Sequence, residues 1–176
     1  AMFNVAGIEI ENSYDADVHS NLATRNTGGI QSFDLPNLPQ QGGHNIRVFS
    51  NRVIANDTPN FAPKGNIVAS VPTGTGVMVM ANRNVHVVDN ELAENGTTNV
   101  MVVAYQSAFT DKAYNPLARD VVVRNNRHGR AGFAPAFPGG RNWQRRWAAY
   151  FPPSFGMVLA EIRPMSTWAI LSWRSR

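Results

Sequence analysis

Apolar residues in this chain alternate in short bursts, and each burst stops at an asparagine. Residues 76–95, GVMVMANRNVHVVDNELAEN, give the clearest case. The same pattern returns along the chain. Asp15-Ala16-Asp17-Val18-His19-Ser20-Asn21 aligns with Asn45-Ile46-Arg47-Val48-Phe49-Ser50-Asn51. Both align with Asn84-Val85-His86-Val87-Val88-Asp89-Asn90 and with Asp120-Val121-Val122-Val123-Arg124-Asn125-Asn126. In all four copies an Asp or Asn stands six residues before the corner Asn, and the positions five and three before it are apolar. A second Asn follows five residues later in three copies (Asn26, Asn56, Asn95), where the fourth has Ala131.

Each copy is preceded by another alternating run, beginning at Gly7, Gly29, Gly76 and Asn99. The shortest spacings between equivalent starts are 22 and 23 residues, enough for two or three short strands and no helix. One such unit cannot bury its own apolar face, so neighbours must stack. The pattern predicts an all-β parallel solenoid of about four rungs. Rungs about 4.8 Å apart place Asn21, Asn51, Asn90 and Asn126 in a column, where each amide can donate to one neighbour and accept from the other. Asn also tolerates the left-handed backbone that a sharp corner needs.

Three insertions interrupt the repeats: residues 34–43 (DLPNLPQQGG), 58–75 (TPNFAPKGNIVASVPTGT) and 106–119 (QSAFTDKAYNPLAR). Their Pro and Gly density marks them as loops. The first and third leave the same corner two rungs apart, so they are expected to project side by side. Loops grouped on one face of a solenoid are where binding usually sits. Asp34, His44, Asp111, Lys112 and Tyr114 are therefore the expected groove residues. Stacking also places Asp17, Arg47 and His86 in one outward column, which reads either as a surface ion-pair ladder or as acid–base machinery. Phe33, Met78, Met80 and Met101 are expected to form an outward apolar stripe, either a contact surface or a floor covered by the loops. Asn82 is expected to be exposed.

The segments FDLPNLPQQGGHNIRVFSN, TPNFAPKGNIVASVPTGTGVMVMAN and GFAPAFPGG resemble one family of exported bacterial proteins with tandem parallel β-helix repeats, within the wider pectin-lyase-like superfamily. The resemblance covers residues 7–140 or so and implies a right-handed β-helix and export, as a lipoprotein or through an ordinary signal peptide. It brings no activity, since that family has no established one. Polysaccharide-acting enzymes elsewhere in the superfamily make a carbohydrate the default ligand by analogy. Three functions follow: a noncatalytic binder of a polysaccharide or an envelope protein, a fragment of a polysaccharide lyase, epimerase or hydrolase, or a scaffold.

Polysaccharide cleavage needs paired carboxylates, or Ca²⁺ with a basic residue beside it. Glu9, Glu11 and Asp17 point outward in the first rung, where they either collect a cation such as Ca²⁺ or form a solvated face. The four His do not approach metal-ligand spacing. With no Cys, the chain has neither disulfides nor thiolate sites. No run is long enough to span a membrane as a helix. The repeats begin almost at once, at Gly7, so the chain is expected to be part of something longer.

The formal charge of +4 changes the picture less than it suggests. Residues 1–140 carry 10 Lys and Arg against 11 Asp and Glu, whereas residues 141–176 carry 6 Arg against one Glu. That concentrates the positive charge outside the repeats and argues against a nucleic-acid face. All four Trp lie in the same tail. Two readings of the tail stand. It is a C-terminal cap that covers the last rung, or it is the product of a frameshift, since GC-rich coding sequence read out of frame yields Arg and Trp runs.

Overall fold

The computed structural model describes residues 1–147, 157–162 and 167–172. Four coils follow one another, each of three strands. The first holds β1 (Ala6–Glu11), β2 (Asp17–His19) and β3 (Leu22–Thr24); the second holds β4 (Gly28–Phe33), β5 (His44–Phe49) and β6 (Arg52–Ile54). The third holds β7 (Thr75–Met80), β8 (Arg83–Val88) and β9 (Glu91–Ala93); the fourth holds β10 (Thr98–Val103), β11 (Arg119–Arg124) and β12 (Arg127–His128). Equivalent strands pair in parallel. They form sheet A from β1, β4, β7 and β10, sheet B from β2, β5, β8 and β11, and sheet C from β3, β6, β9 and β12. The register matches the repeat alignment: Ile8 faces Ile30, Ile30 faces Val77 and Val100 faces Val77. The chain is thus a parallel β-solenoid.

Strand alternation sends Ile10, Ile30, Val48, Val77, Val87, Leu92 and Val100 inward to one continuous apolar core. The β-branched residues that dominate it suit strands buried on the pleated face. At the corner between sheets B and C the predicted asparagine column forms. Asn21 Nδ2 donates to Asn51 Oδ1 at 3.0 Å, Asn51 Nδ2 to Asn90 Oδ1 at 3.0 Å, and Asn90 Nδ2 to Asn126 Oδ1 at 2.9 Å. Each of these oxygens also accepts the backbone N–H of the residue one rung earlier, at 3.0, 3.0 and 2.9 Å. The inner amides further donate to core-strand carbonyls, Asn51 to Val18 and Asn90 to Val48. The corner's left-handed residue is not the Asn itself. It is the residue before it, Ser20, Ser50, Asp89 and Asn125, with φ of 58°, 54°, 55° and 55°. The Asp or Asn six positions before the corner (Asp15, Asn45, Asn84, Asp120) is left-handed too, with φ from 51° to 59°. Those conserved-looking positions of the repeat are thus backbone requirements.

The second column, between sheets C and A, runs Asn26 to Asn56 to Asn95 with amide contacts of 3.0 and 3.2 Å. It is already present at Asn4, whose backbone N–H donates to Asn26 Oδ1 at 3.0 Å after left-handed Phe3. Ala131 ends it, but Asn95 does not lose its partner, because Asn95 Nδ2 donates to Asn99 Oδ1 at 2.9 Å. Asn99 stands where earlier coils carry Gly7, Gly29 and Gly76. Those coils need glycine: a Cβ on Gly29 would lie 2.7 Å from the Gly76 carbonyl and 2.9 Å from Asn56 Nδ2. In the fourth coil, the space that a ladder Asn would fill is left to the Asn99 side chain.

Asn82, expected to be exposed, is fully buried. Its Nδ2 donates to Ser32 Oγ at 3.1 Å and its Oδ1 accepts from the Arg83 N–H at 3.0 Å, which turns the chain from sheet A into sheet B.

Beyond the coils, α1 (Gly140–Trp147) is followed by β13 (Met157–Ile162) and β14 (Thr167–Ser172). β13 pairs in parallel with β10, Val100 facing Val158, and antiparallel with β14. Sheet A therefore has six strands, and its last coil edge is paired. The rest of the tail, for which the cap and frameshift readings were framed, lies outside the described residues.

Candidate functional site

The loop residues expected to line a groove are mostly used in holding the loops down. Asp34 is 2 % exposed, and its carboxylate accepts the N–H groups of Gly42 and Gly43 at 3.0 and 2.9 Å, closing its own loop. Tyr114 is buried and donates its hydroxyl to the Asp34 carbonyl at 2.6 Å. Burial beside Asp34 pushes that hydroxyl's pKa well above its ordinary range. Asp34 and Tyr114 are thus removed from solvent, contrary to expectation. Asp111 accepts from Gln41 Nε2 at 2.7 Å and from the Ala113 N–H at 2.9 Å, bonds that hold its carboxyl below the usual range. The first and third loops do lie side by side, and this bond ties them. Asn12 anchors the first loop from below, accepting from the Leu35 N–H and donating to the Leu35 and Gln40 carbonyls. His44 donates from Nδ1 to the Gly42 carbonyl at 2.7 Å, with its ring 4.5 Å from Tyr14. Lys112 is exposed at the edge.

These loops cover the outward apolar stripe. Phe33, Met78, Met80 and Met101 form a second core with Val71 and Tyr114, against which Leu35, Ile67, Val68, Tyr105 and Phe137 pack. Of the two readings of the stripe, the covered floor is the one found.

The outer face of sheet B is arranged differently. Asp17 faces Arg47 and Arg47 faces His86 in register, as predicted. Arg47 grips Asp17 with two hydrogen bonds, its Nε donating at 2.7 Å. The guanidinium holds the Asp17 carboxyl below the usual aspartate range, and the carboxylate raises Arg47 in turn. Beside this column runs another that the repeat pattern contained but that was not singled out as a site. Asn84 Nδ2 donates to Asn45 Oδ1 and Asn45 Nδ2 to Asp15 Oδ1, both at 2.7 Å, while His86 Nε2 donates to Asn84 Oδ1 at 3.1 Å. Together Asp15, Asp17, Asn45, Arg47, Asn84 and His86 line an open groove of about 320 Å³. At its flank the His19 and Phe49 rings stack with centroids 4.9 Å apart, and Arg47 lies 5.7 Å from the Phe49 centroid. The signal for these neighbours was the register itself: residues two apart on an outward face are adjacent, and every rung repeats them.

The first-rung acids do not gather. Asp15 and Asp17 are engaged by Asn45 and Arg47, whereas Glu9 and Glu11 lie on sheet A. Partial burial and the neighbouring Glu11 raise the Glu9 carboxyl. Among the described residues no three His, Asp or Glu side chains cluster to hold a metal ion. No described helix is long and apolar enough to cross a membrane. A hollow of about 970 Å³ between residues 133–137 and α1 contains none of the predicted site residues.

Comparison with family models, with curated proteins and with solved structures returns no match for this chain.

Proposed function

We propose that this protein is a noncatalytic β-helix, right-handed and exported as its resemblance to the exported β-helix repeat proteins implies, that binds a polysaccharide along the outer face of sheet B. The observation that carries the reading is the polar groove of Asp15, Asp17, Asn45, Arg47, Asn84 and His86. Its side chains stand at the rung spacing of about 4.8 Å, close to the length of one sugar ring, so a chain laid along the axis meets a new polar pair at each rung, Asp15 with Asp17, Asn45 with Arg47 and Asn84 with His86. The stacked His19 and Phe49 rings add an aromatic surface of the kind that sugar C–H faces pack on.

The same geometry argues against hydrolysis. A glycosidic general acid needs a carboxyl kept protonated near neutral pH. Asp17 is instead shifted downward by Arg47 and stays an acceptor. The test is a glycan array followed by calorimetry on the hits. Binding to a polysaccharide that falls at least about tenfold in Arg47→Ala, with no product released, supports the proposal; one lost hydrogen bond to a charged group predicts a fall of that size. Affinity unchanged in Arg47→Ala, or chain cleavage, would overturn it. Capture of a protein from the cell envelope with no glycan binding would instead make the groove a protein-docking face.

A further inference from the structure

The loops that cover sheet A do not close over it completely. Between the 58–74 insertion and the segment after β10 they leave a cleft of about 340 Å³, a size at the lower end of small-molecule sites. Its floor is Met78, Met80 and Met101, on one outward face of neighbouring strands, with Met78 and Met101 in direct register. Tyr105 and Phe137 stand at its walls, and Ser70 and Ser107 reach its edge. None of its fourteen lining residues is charged. The groove on sheet B, by contrast, is lined entirely by polar and charged side chains.

We infer that this cleft binds an uncharged aromatic molecule of up to three rings. The chemistry follows from the lining. A charged ligand would have to leave water without a counter-charge, which costs several kcal/mol. Thioethers favour the edges and faces of aromatic rings, and unbranched Met side chains reshape to fit a planar guest. The three methionines are 2–9 % exposed, so they form a dry floor. Ile67, Pro72 and Val103 add to its apolar lining. The inference stands apart from polysaccharide binding, which uses the other face.

The test uses the full chain and two fluorescent probes that share an anilinonaphthalene skeleton, neutral N-phenyl-1-naphthylamine and anionic 8-anilinonaphthalene-1-sulfonate. The neutral probe is expected to bind with one-to-one stoichiometry and at least about tenfold more tightly than the anionic one, the burial cost of an unpaired charge setting the difference. Ser107→Trp, an exposed edge position, is expected to block the cleft and abolish that binding while the thermal midpoint stays unchanged. Met78→Leu/Met101→Leu keeps the volume and removes two sulfurs, and should weaken binding by about fivefold. Arg47→Ala should leave it unchanged. The inference is overturned if the neutral probe fails to bind or if the two probes bind equally. It is overturned equally if Ser107→Trp or the double Leu variant binds like the parent.

Discussion

On sheet A the outward positions carry Phe33, Met78, Met80 and Met101, and all three insertions are folded down over them. On sheet B, one corner further along the same coils, the outward positions carry Asp17, Arg47, His86 and Phe49, and none of the described residues is folded over their groove. The inward residues of the two sheets are nearly interchangeable, Val77 and Val79 on one and Val85 and Val87 on the other. Both sheets belong to the same core, so what separates the faces is the outward set and the chain inserted between strands. An apolar outer face required a cover and became a second core. A polar one required none and stayed available to solvent and to ligands.

The comparison is most sharply tested by one residue type at two places. Phe33→Ala should cost about 3–5 kcal/mol, as for other fully buried aromatics, whereas Phe49→Ala should cost about 0.5 kcal/mol, the range of surface changes. Both are outward residues at the end of a strand in the second coil. Denaturant unfolding of the two variants gives the answer, and equal losses would mean that the loops do not bury sheet A.

Replacing the 34–43 loop by a two-residue turn extends the test. This loop is bonded to the coil beneath it through Asn12. Its cover over Phe33 and its bonds to Asn12, Asp111 and Tyr114 now predict a stability loss of more than about 2 kcal/mol, from uncovered apolar surface. Binding on sheet B should survive the replacement.

Asn90→Ala should come next, at about 1–3 kcal/mol, because it strips the acceptor from the Asn51 N–H and amide and leaves carbonyls unpaired. Asn84→Asp keeps a residue that tolerates the left-handed backbone, removes the exposed amide donor of sheet B and should cost under about 1 kcal/mol. Thermal melts of the two variants measure the difference, and equal losses would show that the buried ladder contributes no more than an exposed amide. Tyr114→Phe, which removes only the hydroxyl bond to Asp34, should cost about 0.5–1.5 kcal/mol.

The smallest effect concerns pH. The Asp17 carboxyl titrates lower in the folded chain than in the unfolded one, so its contribution is present above the ordinary aspartate range and fades as pH falls through the folded value. An NMR titration of the Asp17 carboxyl should give a midpoint below that of an unpaired aspartate, and Arg47→Ala should return it upward. A midpoint unmoved by that variant would show that Arg47 is not the cause.

Much of the solenoid was legible because its requirements are local and recur. The left-handed residue before each corner between sheets B and C is Ser, Asp or Asn, and an inward alternation admits Val or Ile, so the coils repeat in the sequence as they do in space. The Asp17, Arg47 and His86 column followed from the same register. What was not legible depended on contacts between distant segments. Asp34 and Tyr114 look like loop-tip chemistry until a loop 80 residues away is laid over Asp34. Asn99 looks unrelated to Ala131, yet it supplies the acceptor that the missing ladder Asn leaves open. Asn82 looks like a turn residue because nothing nearby announces that Ser32 lies against it.

Along the column between sheets B and C, Asn21, Asn51 and Asn90 all point the same way: the nitrogen of one coil gives its hydrogen to the oxygen of the next. Each coil therefore ends in the same pair of complementary sockets with which it begins. A tandem duplication of one whole coil would restore each of these bonds, and so would an in-frame deletion. Length can change in such a gene by copying, without a compensating mutation elsewhere in the corner. Asn99 marks where that freedom is reduced: a fifth coil of the ordinary type inserted after it would have to recover both the glycine and the asparagine that the fourth coil has exchanged.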